Sequence, residues 1–159
     1  MWRLNVRRAT GKPKYCSPAG FRNSLYGADG VGPKRPTFVV EGEFDALAVT
    51  QEAGDLVAAV ATGGNCGAQK PRWVKRLSAA PVVLVAFDDD EAGEKASAWW
   101  LRSVPRAKRW APSGDPAGML ERGEDLRTWV QDALTGTPAE ERGEARVPPI
   151  SVEEGDWIS

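Results

Sequence analysis

Short apolar runs of strand type alternate with segments of helical periodicity between residues 37 and 135. Strands are predicted at 37–40, 56–61, 82–87 and 107–110, and helices at 43–53, 70–79, 91–103, 116–122 and 126–134. Such an alternation is typical of parallel strands joined by helical crossovers. The first three strands are apolar throughout, which indicates that helices cover both faces of the sheet. The sequence therefore predicts an α/β fold with a mainly parallel sheet.

Charge divides the chain into three regions, although the formal net charge of the 159 residues is only −1. Residues 1–36 carry a net charge of +7, residues 37–135 carry −4, and residues 136–159 carry −4. The first region is rich in Gly, Pro and Lys, and we expect a small basic segment of strands and loops. The last region has little periodicity, and we expect a disordered acidic tail after the α/β domain.

Composition excludes several classes of function. The chain contains no histidine, so triads, general bases and zinc sites that use histidine are excluded. Its two cysteines, Cys16 and Cys66, form neither a four-cysteine zinc site nor a disulfide scaffold, and a reducing cytoplasm is the expected compartment. No signal-like segment opens the chain, and no apolar run approaches the roughly 18 residues of a membrane span. We therefore expect neither export nor membrane insertion.

Acidic residues follow three of the predicted strands. They are Glu41-Gly42-Glu43 after the first strand, Asp88-Asp89-Asp90-Glu91 after the third and Asp115 after the fourth. Ligands of open parallel sheets bind beyond the carboxyl ends of the strands, so these clusters should gather at one edge. Carboxylates this close repel each other unless a positive charge lies between them. Mg²⁺, which prefers oxygen ligands, is the natural candidate.

Simpler structural roles also account for single members of this set. Acids in the first turn of a helix are favoured by the macrodipole, which would explain Glu43 and Glu91. Asp90 is equally suited to cap the helix that follows it. The Gly63–Gly64 loop after the second strand either binds phosphate through backbone N–H groups or forms an ordinary turn. Three clusters at three strand ends nevertheless favour a binding site.

Several motifs, taken in order, resemble the Toprim domain of bacterial-type DNA primases. They are Glu41-Gly42 within 39–48, the glycine loop within 61–64, Asp88-x-Asp90 within 86–93, and Asp115-Pro116 within 114–116. Upstream, Pro13-Lys14-Tyr15, Ser17-Pro18 and Leu25-Tyr26-Gly27 resemble the segment that precedes this domain in primases. The similarity covers roughly residues 1–130. It implies a Toprim, Rossmann-like fold preceded by a small basic β segment.

The resemblance implies a role for each acid. Glu41 would act in acid/base chemistry or in metal binding. Asp88 and Asp90 would hold Mg²⁺ or Mn²⁺, and Asp115 would help to hold a further ion. Where the family often has an acid two residues after the Asp of Asp-Pro, this chain has Ala117.

The resemblance also implies where nucleotides and DNA would bind. Lys14 would face nucleotide phosphates or the template, together with Arg7, Arg8 and Arg22. The Gly63–Gly64 loop would contribute to the same binding surface. Single-stranded DNA and NTPs are thus the implied ligands, with a replicative helicase or a separate primase subunit as a further partner.

The implied function is Mg²⁺-dependent nucleotidyl transfer that makes RNA primers on single-stranded DNA. Full primases also carry a zinc module, a further core subdomain and a helicase-binding region. We therefore expect a fragment, a split-gene product or a reduced primase-like protein of a mobile element, inactive alone if it needs those parts. Two alternatives stay open, namely a Toprim nuclease and a non-catalytic nucleic-acid-binding or accessory module. The Lys14-Tyr15 segment favours the primase over the nuclease.

Overall fold

A computed structural model describes residues 6–7, 9–12, 15–16, 24–64, 68–110 and 114–136. Near the N-terminus, β1 (Val6–Arg7) pairs antiparallel with β2 (Tyr15–Cys16), and Val6 lies opposite Cys16. This pair agrees with the small β segment expected before the α/β domain. The boundary at residue 36 between the two remains a prediction.

Within the described residues, four strands form the main sheet, and all of them run parallel. They are β3 (Thr37–Val40), β4 (Ala58–Ala61), β5 (Val83–Val85) and β6 (Ala107–Arg109), in the spatial order β4-β3-β5-β6. Because β3 lies between two neighbours and under helices, its four residues are all buried. The mainly parallel α/β fold predicted from the sequence is confirmed.

Helices cover both faces of this sheet. They are α1 (Glu43–Ala53), α2 (Pro71–Leu77), α3 (Glu91–Ser103), α4 (Pro116–Glu121) and α5 (Leu126–Thr135). Successive strand side chains point to opposite faces, so Phe38 packs under α1, α4 and α5 whereas Val39 packs under α2 and α3. Phe38 stacks at a tilt on Trp129 of α5, with 5.1 Å between the ring centroids. Trp100 of α3 is fully buried on the other face.

Two strands are shorter than their apolar runs. The run predicted as 56–61 begins with the turn that ends α1, in which the Leu56 and Val57 amides donate to the Ala53 carbonyl. The run predicted as 82–87 forms a strand only over Val83–Val85, although Phe87 is fully buried. Both runs are apolar because they are buried, and burial extends further along the chain than strand pairing does.

The motif Leu25-Tyr26-Gly27 attaches the N-terminal segment to the edge of the main sheet. Tyr26 forms an antiparallel bridge with Ala61. The Tyr26 amide donates to the Ala61 carbonyl at 2.9 Å, and the Ala61 amide donates to the Tyr26 carbonyl at 3.1 Å. Leu25 is buried beneath α2 and α3. Gly27 has φ +73°, and a Cβ there would lie 2.4 Å from the Ala59 carbonyl oxygen. The motif therefore brings the chain alongside the carboxyl end of β4.

The C-terminal helix α5 ends at Gly136, which caps it with φ +74°. The predicted disordered tail over 136–159 lies, beyond Gly136, outside the described residues. Among the described residues, no helix is long and apolar enough to cross a bilayer.

Candidate functional site

The carboxyl edge of the sheet brings together the acids that the sequence singled out. Glu41 directly follows β3, Asp88 and Asp90 follow β5, and Asp115 is the N-cap residue just before α4, after β6. The pKa of Glu41 is raised, first by burial and then by the negative charges of Asp88, Asp90 and Asp45. Side chains from two strand ends and from α1 thus lie within electrostatic range of one another.

Asp88 stands at the centre of this cluster. Its pKa is raised by partial burial and by the charges of Asp115 and Asp90, and it is lowered by the nearby guanidinium of Arg109. The backbone of Asp88 also lies against Gly93, where a Cβ would come within 2.1 Å of the Asp88 carbonyl oxygen. The glycine of the Asp-x-Asp-x-Ala-Gly motif is therefore required by the close approach of α3 to the strand end.

Two of the predicted metal ligands also cap helices. Asp90 is the N-cap of α3, and its Oδ1 atom accepts a hydrogen bond from the Gly93 amide at 2.6 Å. Asp115 caps α4 in the same way, and its Oδ1 atom accepts from the Gly118 amide at 2.6 Å. The capping role weighed for Asp90 is therefore present in the structure. A cap uses one carboxylate oxygen, so it does not prevent the same side chain from binding a cation.

Asp45 belongs to this edge although the sequence analysis assigned it no role. Its side chain is 8% exposed and accepts hydrogen bonds from the Gly42 amide at 3.0 Å and the Ala117 amide at 3.2 Å. Burial, followed by the charges of Asp115 and Asp88, raises its pKa to about 6, although the hydrogen bonds from the two amides lower it. Asp45 thereby ties the Glu41-Gly42 turn to the start of α4.

A sequence signal for Asp45 did exist. The residue stands third in a helix whose N-cap is Gly42, and an acid at that position often bonds back to the N-cap amide. Its second partner, Ala117, is 72 residues away and follows no local pattern.

Glu91 forms an ion pair within its own helix. Its carboxylate pairs with Lys95 at 2.5 Å, one helical turn along, and both side chains are largely exposed. The position in the first turn of α3 is favoured by the helix macrodipole, so this acid needs no ligand to explain it.

The Gly63–Gly64 loop holds the backbone of Glu41. The Gly63 and Gly64 amides donate to the Glu41 carbonyl at 2.9 and 3.4 Å, and both glycines have positive φ. This arrangement is that of a turn which supports the end of β3. Phosphate binding by the loop stays a prediction.

The predicted basic ligands lie largely outside the described residues. Arg7 is described by its backbone in β1, whereas Arg8, Lys14 and Arg22 are not described. Their assignment to nucleotide and DNA binding therefore stays a prediction.

The acids of this edge suit a hard cation whose coordination shell is only partly filled by the protein. Every predicted ligand offers carboxylate oxygens, which Mg²⁺ and Mn²⁺ prefer. In the part of the chain that the structure describes, no three Asp, Glu, Cys or His side chains are grouped closely enough to hold a metal ion. Mg²⁺ is commonly bound through one or two carboxylates, with waters and substrate phosphates completing the shell. The acids at this edge fit that manner of binding and not a cage made by protein alone.

Residues 38–112 match the model of the Toprim-like family, and the sheet and helices have the corresponding fold. Residues 38–112 form a Toprim-like domain. A DNA primase domain from Pseudomonas aeruginosa is 30% identical to it with a TM-score of 0.62, over 81% of this chain and 46% of that one. The match to the Toprim model and this likeness confirm the resemblance to primases found in the sequence.

Two further structures share the fold of the Toprim domain. The primase fragment of the bacteriophage T7 primase-helicase protein is 21% identical, with a TM-score of 0.61, over 80% of this chain and 55% of that one. A small Toprim domain protein from Bacillus stearothermophilus is 21% identical, with a TM-score of 0.50, over 71% of this chain and 97% of that one. The chain spans about half the length of the two primase structures. No match was found among curated proteins.

Proposed function

We propose that this chain is the Toprim catalytic module of a DNA primase-like protein that makes RNA primers on single-stranded DNA. The gathering of Glu41, Asp88, Asp90 and Asp115 at the carboxyl edge of the sheet carries the proposal. The likeness to the Pseudomonas primase domain supports the primase class among Toprim proteins. The reaction would be nucleotidyl transfer during replication in the cytoplasm.

The acids of this edge would hold Mg²⁺ or Mn²⁺. Asp88 and Asp90 would hold one ion and Asp115 would help to hold a further one, because Asp90 and Asp115 each keep an oxygen that the helix cap does not use. Waters and substrate phosphates would complete each shell. Mutual repulsion helps to raise the pKa values of Glu41 and Asp88, and a divalent cation is what relieves such repulsion. When bound, it would stabilise negative charge on the phosphate under attack. A raised pKa also suits Glu41 to accept a proton at this site.

The basic N-terminal segment would bind the template strand and the NTP phosphates. The Tyr26–Ala61 bridge brings this segment to the end of β4, beside the loop that supports Glu41. Arg7, Arg8, Lys14 and Arg22 belong to the same segment, and binding through such charges weakens with salt. A structure of T7 primase domains with a related fold is described as bound to an RNA/DNA hybrid and dTTP. A replicative helicase or a separate primase subunit would complete the assembly.

A non-catalytic nucleic-acid-binding module is the second candidate. Asp90 and Asp115 each cap a helix, and this role alone would explain why these two acids are present. A Toprim nuclease would use the same acids to cut DNA, so a single assay must distinguish the three activities.

The decisive experiment supplies labelled NTPs, single-stranded DNA and Mg²⁺, with and without candidate partner subunits. We expect labelled primers from the wild type, none from Asp88→Asn and normal yield from Asp89→Asn, an exposed acid of the same loop. Degradation of the DNA in the same tubes would instead identify a nuclease. DNA binding without either activity, in every mixture, would favour the accessory module.

A further inference from the structure

Arg109, the last residue of β6, places its guanidinium group along the end of β5. Each of its five N–H groups has an acceptor. Nη1 donates to the Val85 carbonyl at 3.2 Å and the Phe87 carbonyl at 2.9 Å, and Nη2 donates to the Asp88 carbonyl at 3.3 Å. The two remaining N–H groups, on Nε and Nη2, bond Glu94 Oε1 at 3.0 and 2.8 Å.

This arrangement continues the sheet by means of a side chain. The Trp110 amide donates to the Val85 carbonyl at 3.0 Å, and on the other side of the strand the Ala86 amide donates to the Val39 carbonyl at 2.9 Å. β6 ends at Arg109, whereas buried backbone carbonyls beyond Val85 still need donors. The guanidinium supplies them to Phe87 and Asp88, as a neighbouring strand would.

Glu94 of α3 keeps the guanidinium in this position. Its Oε1 atom accepts from two N–H groups of the same side chain, which sets the direction of the fork. The Arg109 side chain is 19% exposed and that of Glu94 is 57% exposed, so the pair closes over the strand end from the solvent side.

The peptide of Asp88 is therefore enclosed from two directions. Gly93 packs against it on one side, with room for no side chain, and Arg109 donates to its carbonyl on the other. Three elements, β5, β6 and α3, meet at this one residue. A carboxylate on a backbone held in this way keeps its direction when a cation and a substrate arrive.

We propose that Arg109, oriented by Glu94, is the positioning residue for Asp88 and thereby sets the divalent-cation affinity of the site. That a divalent cation binds at this edge rests on the proposed function. Within the part of the chain that the structure describes, the hydrogen bonds of Arg109 go to backbone carbonyls and to Glu94. Arg109 therefore acts through Asp88 and does not bind the cation.

Charge and geometry pull in opposite directions here, and a conservative variant separates them. Loss of a positive charge beside the acids should strengthen cation binding, whereas loss of the fork should weaken it. Arg109→Lys keeps the charge but replaces five planar donors by a single ammonium group, which cannot serve all four acceptor groups. Its effect therefore reports geometry.

Arg127, in the first turn of α5, provides a matched control that bonds the C-terminal end of α1. Its guanidinium also joins a backbone carbonyl, that of Glu52 at 2.8 Å, to a carboxylate, that of Asp55 at 2.7 and 2.8 Å. Arg127→Lys disturbs a comparable fork whose partners do not belong to the end of β5.

The test combines Mg²⁺ calorimetry with amide hydrogen exchange on the full chain. We expect Arg109→Lys to weaken Mg²⁺ binding by about tenfold, the size typical of groups that orient a metal ligand. Arg127→Lys should stay within about twofold of the wild type, as residues remote from the ligands do. Without metal, the amide of Gly93 should exchange faster in Arg109→Lys while the amides of β3 keep their protection.

Unchanged Gly93 exchange together with unchanged affinity in Arg109→Lys would overturn the inference. Equal losses in Arg109→Lys and Arg127→Lys would also overturn it, because they would indicate general destabilisation. A wild type that binds no Mg²⁺ would count against the proposed function, and the metal-free exchange data would then decide whether Arg109 positions the Asp88 segment.

Discussion

Two of the acidic strand ends of this Toprim-like domain, those of β3 and β5, are held in place by opposite kinds of side chain. At the end of β3, the buried carboxylate of Asp45 accepts hydrogen bonds from the amides of Gly42 and Ala117. At the end of β5, the guanidinium of Arg109 donates to three backbone carbonyls and to Glu94. The end of β3 is thus held by a carboxylate that accepts hydrogen bonds from N–H groups. The end of β5 is held by a guanidinium that donates hydrogen bonds to oxygen atoms.

This difference predicts how each end responds to a change of conditions. Asp45 adds a further negative charge to an acidic edge, and its pKa of about 6 shows that the charge is opposed by burial and by its neighbours. Arg109 brings a charge of the opposite sign, which opposes the rise in the pKa of Asp88 caused by burial and by Asp115 and Asp90. The β3 end should therefore depend on pH near neutrality, whereas the β5 end should depend on the shape of one guanidinium.

The largest contrast should come from the glycine beside each end. In Gly93→Ala the new Cβ would meet the backbone oxygen of Asp88 at 2.1 Å, and a backbone cannot move aside cheaply. In Gly42→Ala the Cβ would meet the Oδ2 atom of Asp45 at 2.7 Å, the tip of a side chain. Urea unfolding should show a loss of about 3 kcal/mol or more for Gly93→Ala and about 1 kcal/mol for Gly42→Ala. Equal losses would mean that the two ends are equally rigid.

The second contrast concerns pH and the β3 end. The ordinary pKa of an aspartate is 3.8, whereas that of Asp45 in the folded chain is about 6. Between these two pH values the folded state therefore binds more protons than the unfolded state. The free energy of unfolding must then fall as pH rises through that window. In EDTA, the wild type should lose about 2 to 3 kcal/mol relative to Asp45→Asn between about pH 4 and about pH 7. A difference that stays constant with pH would contradict a raised pKa at Asp45.

The third contrast separates the two roles of Asp90. Its Oδ1 atom caps α3, so Asp90→Ala should cost about 1 kcal/mol of stability, while Asp90→Asn keeps an oxygen acceptor and should cost only a few tenths. Both variants lose the negative charge and should weaken Mg²⁺ binding alike. Thermal unfolding and calorimetry on the same samples test this, and full Mg²⁺ affinity in Asp90→Asn would reduce Asp90 to a helix cap.

The smallest effect should come from the ion pair between Asp55 and Arg127. The hydrogen bond from Arg127 lowers the pKa of Asp55 to about 2, yet both side chains are open to solvent. Asp55→Asn should lower the melting temperature slightly at low salt and not at all at high salt, because solvent and ions screen such pairs. A large or salt-independent loss would show that the Arg127 bond to the Glu52 carbonyl depends on Asp55.

The fold could be predicted from the sequence because burial leaves a repeating pattern. The alternation of apolar strands and helices, and the acids that follow β3 and β5, are local features that a single sequence displays. The ends of β4 and β5 could not be predicted, because apolar residues such as Phe87 remain buried after strand pairing stops.

The supports of the site were harder to predict than its acids. Asp45 is one of several acids in a helical segment, and its tie to Ala117 spans 72 residues. Arg109 is a basic residue at the end of a weak strand, and its carbonyl acceptors are 21 to 24 residues away. Any residue type supplies a backbone amide or carbonyl, so long-range contacts of a side chain to the backbone cannot be identified from the sequence and are seen only in the structure.

The most direct test of this account is Mg²⁺ calorimetry on the wild type and on the double variant Asp88→Asn/Asp90→Asn, which keeps an acceptor at the cap of α3. The account predicts weak binding to the wild type, since substrate phosphates are absent, and no detectable binding to the double variant. Asp89 is a neighbouring exposed acid, so the Asp89→Asn variant should bind Mg²⁺ as the wild type does. Binding that survives in the double variant, or a wild type that binds no Mg²⁺, would contradict a cation site at this edge of the sheet.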